Sequence, residues 1–413
     1  MEIPLRGETR GNLKRFRFSP LYDTILSMEA RIKMILERNV EEVIRREALL
    51  KKLRSKRKLR IKHGIDPTTK NIHLGRAVSL RKLKDFEDLG HKIVLIIGDF
   101  TAQIGDPSDK LEKRPFLSEA QVKHNLKNYL PQIGKIINLK KAEIHYNSTW
   151  LTKLNFREIS KLAEMFSVGQ MLERRNFKLR FQKQEEISLR EFLYPLMQGY
   201  DSVAVRADVE IGGSDQLFNL LAGRKVQEFY HQPLQDIITT AMLEGTDGRK
   251  MSSSWGNVIT IVDDPALMFG KVMALNDAIV GKYFLLATDL PEEEIKEIRG
   301  KSRLEAKERL AFEIVKLYHD AKKASRARKF FVETFRKRRL PTGEKAFSYV
   351  PKTELKEILL KAKQVRSFSE FRRLCKEGAI ELNQEKVFDP RLRPNGSAIV
   401  RIGKKRFLRI VPK

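Results

Sequence analysis

A lysine followed by three hydroxyl side chains could bind a polyphosphate. This cluster, Lys250-Met251-Ser252-Ser253-Ser254, follows Gly245, Asp247 and Gly248, which together predict a loop. An ammonium group and several hydroxyls on a loop can enclose a triphosphate and stabilise negative charge that develops at its α-phosphate. Loops of this composition are often merely solvated, so the cluster by itself also fits that simpler interpretation.

A second polar cluster lies where a helix is predicted to begin. His73-Leu74-Gly75-Arg76 follows a short strand, and a helix N-terminus offers unpaired N–H groups and a partial positive charge to a phosphate. Glycine at position 75 lets a ligand approach the backbone closely. Taken alone, the tetrapeptide is better explained as an ordinary helix start.

A third set of polar side chains is predicted to share one face of a helix. Ser188 and Glu191 have the spacing of a capping box that starts this helix. Tyr194, Gln198 and Asp201 follow at intervals of four and three residues, which places them on one face. Apolar neighbours favour a partly buried face over a wet surface face. Burial of polar groups is costly unless they bind something.

Two glycines precede the next pair of polar candidates. The segment from Glu210 to Gln216 leads from a predicted strand into the helix Leu217–Glu228 and includes Gly212 and Gly213. Glycines at such a junction allow close packing of the backbone around a ribose or another substrate. We therefore expect Asp215 and Gln216 to lie beside a ligand.

The elements around these clusters predict a nucleotide-binding α/β sheet. Leu59–Lys62 is predicted to be a strand, a helix runs from Leu74 to a stop at Gly90, and Lys92–Ile97 is a second, apolar strand. A parallel pair joined by a crossover helix is the opening of such a sheet. Ahead of it, residues 28–56 are predicted to form one helix with an apolar face made of Met28, Ile32, Ile35 and Leu36.

The remainder of the chain is predicted to contain two further domains. The pattern from Pro265 to Phe335 is helical, and Pro341, Gly343 and Pro351 indicate a linker. After it come two short helices, Glu354–Leu360 and Ser369–Gly378, and strands at Ile380–Val387 and Ala398–Val411. The predicted domains are an N-terminal extension and helix (1–56), a catalytic domain (57–262), a helical domain (263–340), a linker (341–352) and a small α+β domain (353–413).

The charge distribution indicates a polyanionic partner. The chain of 413 residues has a formal net charge of +29. Residues 321–413 hold 27 Lys and Arg against 9 Asp and Glu, a net charge of +18. Such a gradient is typical of nucleic-acid binding through the C-terminal part, although a merely solvated basic surface would also produce it.

Composition excludes several other classes of protein. With 41% hydrophobic and 33% charged residues, the chain is predicted to be soluble and folded. No apolar stretch approaches the ~20 residues that cross a bilayer. Cys375 is the single cysteine, so an internal disulfide and a cysteine-built zinc site are excluded, and no protein-bound metal is expected. The basic N-terminus lacks the apolar core of a secretory signal, so secretion is not expected. An organelle transit peptide remains an alternative for this segment. The cytoplasm is the location that best fits this composition.

The two phosphate-binding candidates together resemble a known family. An H-x-G-x helix start after a first strand, followed some 175 residues later by K-M-S-S-S, is similar to the H-I-G-H and K-M-S-K-S signatures of the class I aminoacyl-tRNA synthetases. The helix with Y-x-x-x-Q-x-x-D, the I-G-G-S-D-Q segment, Gly64–Thr68 and Gly98–Pro107 resemble the tyrosyl enzymes in particular. The match covers roughly residues 30–275. The resemblance implies a Rossmann-like nucleotide-binding catalytic domain with a parallel sheet.

The resemblance also implies a role for each candidate residue. His73, Arg76 and Lys250 would be catalytic, stabilising the α-phosphate during attack. Asp201 would accept a hydrogen bond from the substrate phenol. The implied ATP-binding residues are Gly64, Asp66, His73, Gly75, Gly213, Asp215, Lys250, Met251 and Ser252, and the implied tyrosine-binding residues are Asp106, Tyr194, Gln198, Asp201 and Gln216.

The C-terminal segment resembles a ribosomal-protein-S-four-type RNA-binding domain. In the segment Val365–Val387, the residues Arg366, Arg372, Arg373 and Lys376 would line a basic helix face that suits phosphates rather than base sequence. The implied partners are tRNA(Tyr), tyrosine and ATP, with Mg²⁺ arriving as part of the ATP complex. A homodimer without membrane attachment is also implied.

Three positions depart from the family pattern. Arg76 replaces the second histidine of H-I-G-H and keeps a cation near the phosphates, although its length could misplace the charge. Ser253 stands where many relatives have a second lysine. Lys62 stands where one branch has a tyrosine that contacts the phenol, which leaves Asp201 without that second partner. A tryptophanyl enzyme and a non-catalytic RNA-binding relative of the same fold remain as alternatives.

Overall fold

The computed structural model describes residues 27–108, 117–336, 347–383, 385–403 and 406–413. Contacts between residues divide the chain into two compact units, Met1–Ala324 and Ser325–Lys413. The prediction of an extension over the first 25 residues lies outside the described residues. The same holds for part of the predicted linker.

The first unit contains a mixed sheet and helices on both sides of it. Its elements, in chain order, are α1 (Met28–Glu37), β1 (Val40–Ile44), α2 (Arg46–Arg54), β2 (Arg60–Ile65), α3 (Leu74–Asp88), β3 (Lys92–Ile97), α4 (Thr101–Ile104), α5 (Glu119–Ile133), β4 (Glu143–Tyr146), α6 (Ser148–Leu151), α7 (Phe156–Glu164), α8 (Val168–Leu172), α9 (Arg175–Gln182), α10 (Leu189–Ala204), β5 (Val209–Gly213), α11 (Leu217–Phe229), β6 (Asp236–Thr240), α12 (Pro265–Met273), α13 (Asp277–Ala287), α14 (Glu292–Arg299) and α15 (Arg303–Tyr318).

The sheet of this unit has a parallel core. Its strands, as far as the structure describes the chain, lie in the order β1-β6-β5-β2-β3-β4, and β1 runs antiparallel to its neighbour. Ile61 of β2 is opposite Ile93 of β3 and Val209 of β5, and all three are buried. Burial on both faces explains why the central strands are continuous apolar runs. The predicted α/β fold class and the β2–α3–β3 crossover are confirmed.

The region before β2 differs from the sequence prediction. The single helix predicted over residues 28–56 is wrong, because α1 ends at Glu37 and the strand β1 separates it from α2. Asn39 and Arg45 flank β1 with positive φ angles of 61° and 65°, which a continuous helix does not allow. The strand forms because it pairs with β6, where Val43 is opposite Ile238. On α1, Ile32, Ile35 and Leu36 are buried, but Met28 is exposed.

The helices α12 to α15 follow the last strand of the sheet. Asp264 caps α12 by accepting from the N–H groups of Ala266 and Leu267, and Ser302 forms a capping box at the start of α15. Buried side chains of α12, α13 and α15 form the apolar interior here: Met268, Phe269, Val272, Tyr283, Phe284, Leu310, Ala311, Ile314 and Val315. Among the described residues, no helix is both long and apolar enough to span a bilayer. A further helix, α16 (Ala321–Phe331), crosses the division between the units.

The second unit is a small α+β fold. Its elements are β7 (Phe347–Tyr349), α17 (Leu355–Lys361), α18 (Phe368–Lys376), β8 (Ile380–Leu382), β9 (Glu385–Lys386), β10 (Ala398–Ile402) and β11 (Arg406–Pro412). Its sheet has the order β7-β11-β10-β8-β9, and the buried faces of α17 and α18 join its core. The strand β7 lies within the predicted linker and pairs with β11.

The strand predictions in this unit need a correction. Ile380–Val387 and Ala398–Val411 are each predicted to form one strand, but each segment folds into two. Asn383 and Gly403 adopt positive φ angles of 50° and 64° between the paired strands. Asparagine and glycine tolerate this conformation, so the chain reverses at these two positions.

Candidate active site

A cavity of about 240 Å³ opens at the carboxyl ends of the parallel strands. Ligands of open α/β sheets bind at this edge because the strand-to-helix loops leave a crevice there. The candidate residues for ATP and tyrosine are spread over nearly 190 positions of the sequence. All of them line this one cavity: Gly64, Asp66, His73, Gly75, Arg76, Asp106, Tyr194, Gln198, Asp201, Gly213, Asp215, Gln216, Lys250, Met251 and Ser252.

One end of the cavity is formed by the start of α3. His73 caps this helix, since its Nδ1 accepts from the backbone N–H of Arg76 at 3.3 Å. The N–H of Leu74 donates to the carbonyl of Ile259, and the N–H of Gly75 faces the Sδ of Met251 at 3.4 Å. The unpaired N–H groups that the sequence predicts here therefore have partners, of which the thioether is a weak one.

The lysine and serine cluster lies on a loop that packs against this helix start. Met251 is buried beneath Gly75, and Lys250 forms an ion pair with Asp215, with 2.7 Å between Nζ and Oδ2. The buried side chain of Asn257 fixes the loop: its amide accepts from the N–H of Ser252 at 2.8 Å and donates to the carbonyl of Lys250 at 3.0 Å. The structure thus brings the two signature segments of the sequence together.

Arg76 lies in the wall of the cavity rather than in open solvent. Its guanidinium donates to the carbonyl of Asp66 at 3.4 Å, to the hydroxyl of Thr68 at 3.1 Å and to the hydroxyl of Tyr129. The guanidinium carbon is 6.0 Å from the centre of the Tyr129 ring. These contacts hold the longer side chain against the turn that follows β2, so its charge stays beside the cavity.

A buried carboxylate also lines the cavity. Asp201 on α10 is 3% exposed and accepts from the indole N–H of Trp150 at 2.8 Å and from the amide of Asn147 at 3.3 Å. Burial raises the pKa of Asp201 to about 7, although the positive charge of Lys62 and these two hydrogen bonds oppose the shift. The sequence prediction missed Trp150 and Asn147. Their position directly after β4, at the same sheet edge, was a usable signal.

Hydrogen bonds also join several of the remaining candidates in two separate groups. The hydroxyls of Tyr194 and Thr101 each donate to Asp66 at 2.8 Å. The amide of Gln216 donates to Asp106 at 2.6 Å. These contacts orient polar groups around a space large enough for a small substrate.

Lys62 does not face the cavity as the tyrosine of the other branch would. Its side chain is fully buried, and Nζ contacts the carbonyl of Gln198, the hydroxyl of Ser202 and the carboxylate of Glu210. The amide of Gln198 also donates to Glu210, at 3.1 Å. Lys62 is therefore buried behind the residues that line the cavity and is not one of them.

The four candidate RNA-binding residues lie in the second unit. Arg372, Arg373 and Lys376 are exposed on α18, whose opposite side buries Phe371 and Leu374, and Arg366 is exposed just before the helix. Arg373 forms an ion pair with Glu377 at 3.1 Å. The basic face is accessible, as a phosphate-binding surface requires.

The chain is similar to known proteins over most of its length. The family described as tRNA synthetases class I (W and Y) matches residues 54–336. A tyrosine–tRNA ligase of Thermotoga maritima is 43% identical over 394 residues, which cover 93% of this chain and 98% of that protein. One of Aquifex aeolicus is 44% identical over 391 residues, with 94% and 100% covered. Among solved structures, a tyrosyl-tRNA synthetase of Archaeoglobus fulgidus complexed with L-tyrosine aligns with a TM-score of 0.60 and 20% identity. The alignment covers 72% of this chain and 99% of that one, and at this identity it supports the fold alone.

Proposed function

The chain belongs to the class I tRNA synthetases of the tryptophan and tyrosine type and acts as a tyrosine–tRNA ligase. From this premise we propose which parts of the cavity bind ATP and tyrosine and how the reaction proceeds. In the first step, a carboxylate oxygen of tyrosine attacks the α-phosphorus of ATP and pyrophosphate leaves. In the second, the 3′-terminal ribose hydroxyl of tRNA attacks the carbonyl carbon of the adenylate and AMP leaves. Positioning and charge stabilisation suffice for both steps, so no side chain acts as the nucleophile.

The end of the cavity formed by α3 and its loop binds ATP. His73, Arg76 and Lys250 stabilise charge on the α-phosphate, and Gly75, Met251 and Ser252 shape the space beside it. Asp215 and Gly213 contact the ribose, while Gly64 and Asp66 border the adenine nucleotide. Because Lys250 is ion-paired with Asp215, it exchanges that partner for phosphate when ATP binds. Mg²⁺ enters as part of the ATP complex, held by the phosphates.

The buried end of the cavity binds tyrosine. The observation that carries this assignment is the buried carboxylate of Asp201, which Trp150 and Asn147 hold by hydrogen bonds and which lines the same cavity as Lys250. Ionised, it accepts a hydrogen bond from the phenol and is left without that partner when phenylalanine enters. Enzymes of this class are known to reject phenylalanine by a factor on the order of 10⁵, and a site built in this way accounts for that discrimination. Tyr194, Gln198, Asp106 and Gln216 hold the ammonium and carboxylate groups of the substrate.

The basic second unit binds tRNA. Its exposed cations on α18, including Arg372, Arg373 and Lys376, and Arg366 before the helix contact the phosphate backbone. The helices from α12 onward, within the predicted domain 263–340, contribute the remaining tRNA contacts, and the domain 353–413 is an RNA-binding module. The cytoplasm is the proposed location of the protein.

The active protein is proposed to be a homodimer. Large apolar side chains on the stretch from α7 to α10 are exposed: Phe156 (84%), Val168 (62%), Phe181 (63%) and Leu189 (78%). Such a concentration of exposed apolar residues within one stretch of chain supports a protein–protein contact.

Amino-acid-dependent exchange of pyrophosphate into ATP tests this function. We expect tyrosine alone to support exchange, and tyrosine to be transferred to tRNA(Tyr) afterwards. Exchange with tryptophan in place of tyrosine would contradict the assignment of Asp201. Binding of tRNA with no exchange for any amino acid would instead indicate a non-catalytic RNA-binding protein.

A further inference from the structure

A buried lysine lies behind the tyrosine-binding face. Lys62 of β2 is fully buried, and its three N–H donors are taken by three acceptors: the carbonyl of Gln198 at 2.8 Å, the hydroxyl of Ser202 at 2.7 Å and the carboxylate of Glu210 at 2.9 Å. Two of these acceptors belong to α10. The ammonium group therefore anchors the turn of α10 that also carries Asp201.

Glu210 completes this buried cluster from the neighbouring strand. Besides Lys62, its carboxylate accepts from the amide of Gln198 at 3.1 Å, from the hydroxyl of Ser202 at 3.2 Å and from the amide of Gln235. Because desolvation offsets the attraction between buried charges, such a pair contributes little net stability. The pair has another use, because Glu210 lines the cavity and its hydrogen bond fixes the side chain of Gln198, one of the proposed tyrosine-binding residues.

Asp201 is the ionisable group on which this cluster acts. Among the described residues, Lys62 on β2 favours its charged form and Glu210 on β5 disfavours it, and the effect of Lys62 is the larger. From the β4 side, Asn147 and Trp150 contact the carboxylate, and His145 packs on the Trp150 ring with 6.0 Å between centroids.

We propose that Lys62 is a positioning residue for recognition of the phenol, which it serves by keeping Asp201 ionised and by fixing the turn of α10 between Gln198 and Ser202. The inference rests on the proposed role of Asp201. It also explains how the chain works without a phenol-contacting tyrosine at position 62: the lysine acts through the carboxylate instead of touching the substrate.

The pH dependence of tyrosine activation tests this proposal. Asp201 accepts the phenol hydrogen bond in its ionised form, and its pKa is about 7, so kcat/KM for tyrosine should fall as pH decreases through neutrality. In Lys62→Met, the loss of the positive charge should move this decrease upward by about one pH unit or more. At pH 7 the value of kcat/KM should then drop by about fivefold or more, mainly through KM for tyrosine, and recover toward pH 9. A loss that is independent of pH would overturn the proposal.

Lys82→Met is the matched control for this substitution. Lys82 is also fully buried, at 1% exposed, and its Nζ contacts the carbonyls of Met34 and Ile35 and the carboxylate of Asp85. It does not line the cavity. This variant should lose stability without any change in the pH dependence; the same displacement in both variants would overturn the proposal.

Two further variants keep the test decisive. If Lys62→Met does not fold, the double variant Lys62→Met with Glu210→Gln removes both buried charges. Its pH dependence should move in the same direction but less far, and an unchanged or lowered midpoint would overturn the proposal.

Asp201→Asn separates this inference from the proposed function. If it leaves tyrosine activation and its pH dependence intact, the role of Asp201 itself fails; if it abolishes both while Lys62→Met behaves as wild type, only the inference about Lys62 fails.

Discussion

At the scale of single residues, the proposed recognition of the substrate depends on a carboxylate that neighbouring side chains hold in place by hydrogen bonds. Asp201 accepts from the indole of Trp150 and the amide of Asn147, and Asn147 in turn donates to Thr101 at 3.0 Å. A fixed acceptor loses little conformational freedom when the phenol arrives, which favours specificity. The hydrogen bonds also limit the directions from which a substrate group can approach.

Replacing Asp201 with alanine should weaken tyrosine activation selectively. A hydrogen bond to a charged group contributes roughly 1.5–3 kcal/mol, so kcat/KM for tyrosine should fall by a factor of roughly 10 to 150, with little change in KM for ATP. Pyrophosphate exchange measures both quantities. Asp208→Ala is the control, because Asp208 is also buried and hydrogen-bonded, to Arg57 and Arg60, but does not line the cavity. Near-normal kinetics in Asp201→Ala would refute the assigned role.

At the scale of elements, two closely packed helices position the face that we propose to bind tyrosine. A Cβ added at Gly199 of α10 would lie 2.7 Å from Cγ2 of Val226 and 3.2 Å from the carbonyl of Ala222, both on α11. The absence of a side chain at Gly199 therefore sets the distance between the helices. Since Gln198 and Asp201 lie on the same turn, the contact also sets how far they reach into the cavity.

Alanine at Gly199 should destabilise the protein, whereas alanine at Gly270 should not. Overpacking costs roughly 1–3 kcal/mol, so Gly199→Ala should lower the thermal midpoint and raise KM for tyrosine. Gly270 lies within α12, and an added Cβ there meets no atom within 4 Å. Its replacement should stabilise by roughly 0.5–1 kcal/mol, because alanine loses less backbone entropy in a helix. Midpoints that move in the same direction for both variants would show that helix spacing is not the cause.

At the scale of the whole molecule, charge and chemistry are separated along the chain. The cavity lies in the first unit, while residues 321–413 hold +18 of the net charge of +29. We therefore expect a polyanion to bind mainly to the basic C-terminal part of the chain. The affinity for RNA should accordingly depend on salt, because bound cations release counterions from the phosphates.

Removal of the C-terminal part should affect only the second step. A protein truncated after Leu340 should retain tyrosine-dependent pyrophosphate exchange within about twofold. Its KM for tRNA should rise by about tenfold or more and lose part of its dependence on salt, since several phosphate contacts are gone. Aminoacylation at two salt concentrations measures this. If exchange collapsed as well, the proposed domain division would be wrong.

The sequence by itself determined those features that depend on neighbours along the chain. The bounds of β3, the capping box at Ser188 and the polar face of Tyr194, Gln198 and Asp201 follow from spacing and local hydrogen bonds. The crossover β2–α3–β3 follows from short-range apolar patterns. Local energetics fix these elements, and the two signature segments identified the family on which the assignment depends.

Only the tertiary structure decided what depends on residues far apart in the chain. The segment Val40–Ile44 has the composition of either a helix or a strand, and it becomes a strand because β6, almost 200 residues later, offers its backbone groups for pairing. The burial of Lys62 and the partners of Asp201 were undetermined for the same reason. Each depends on side chains from several elements, and the energy of a buried charge is set by those contacts rather than by the identity of the residue.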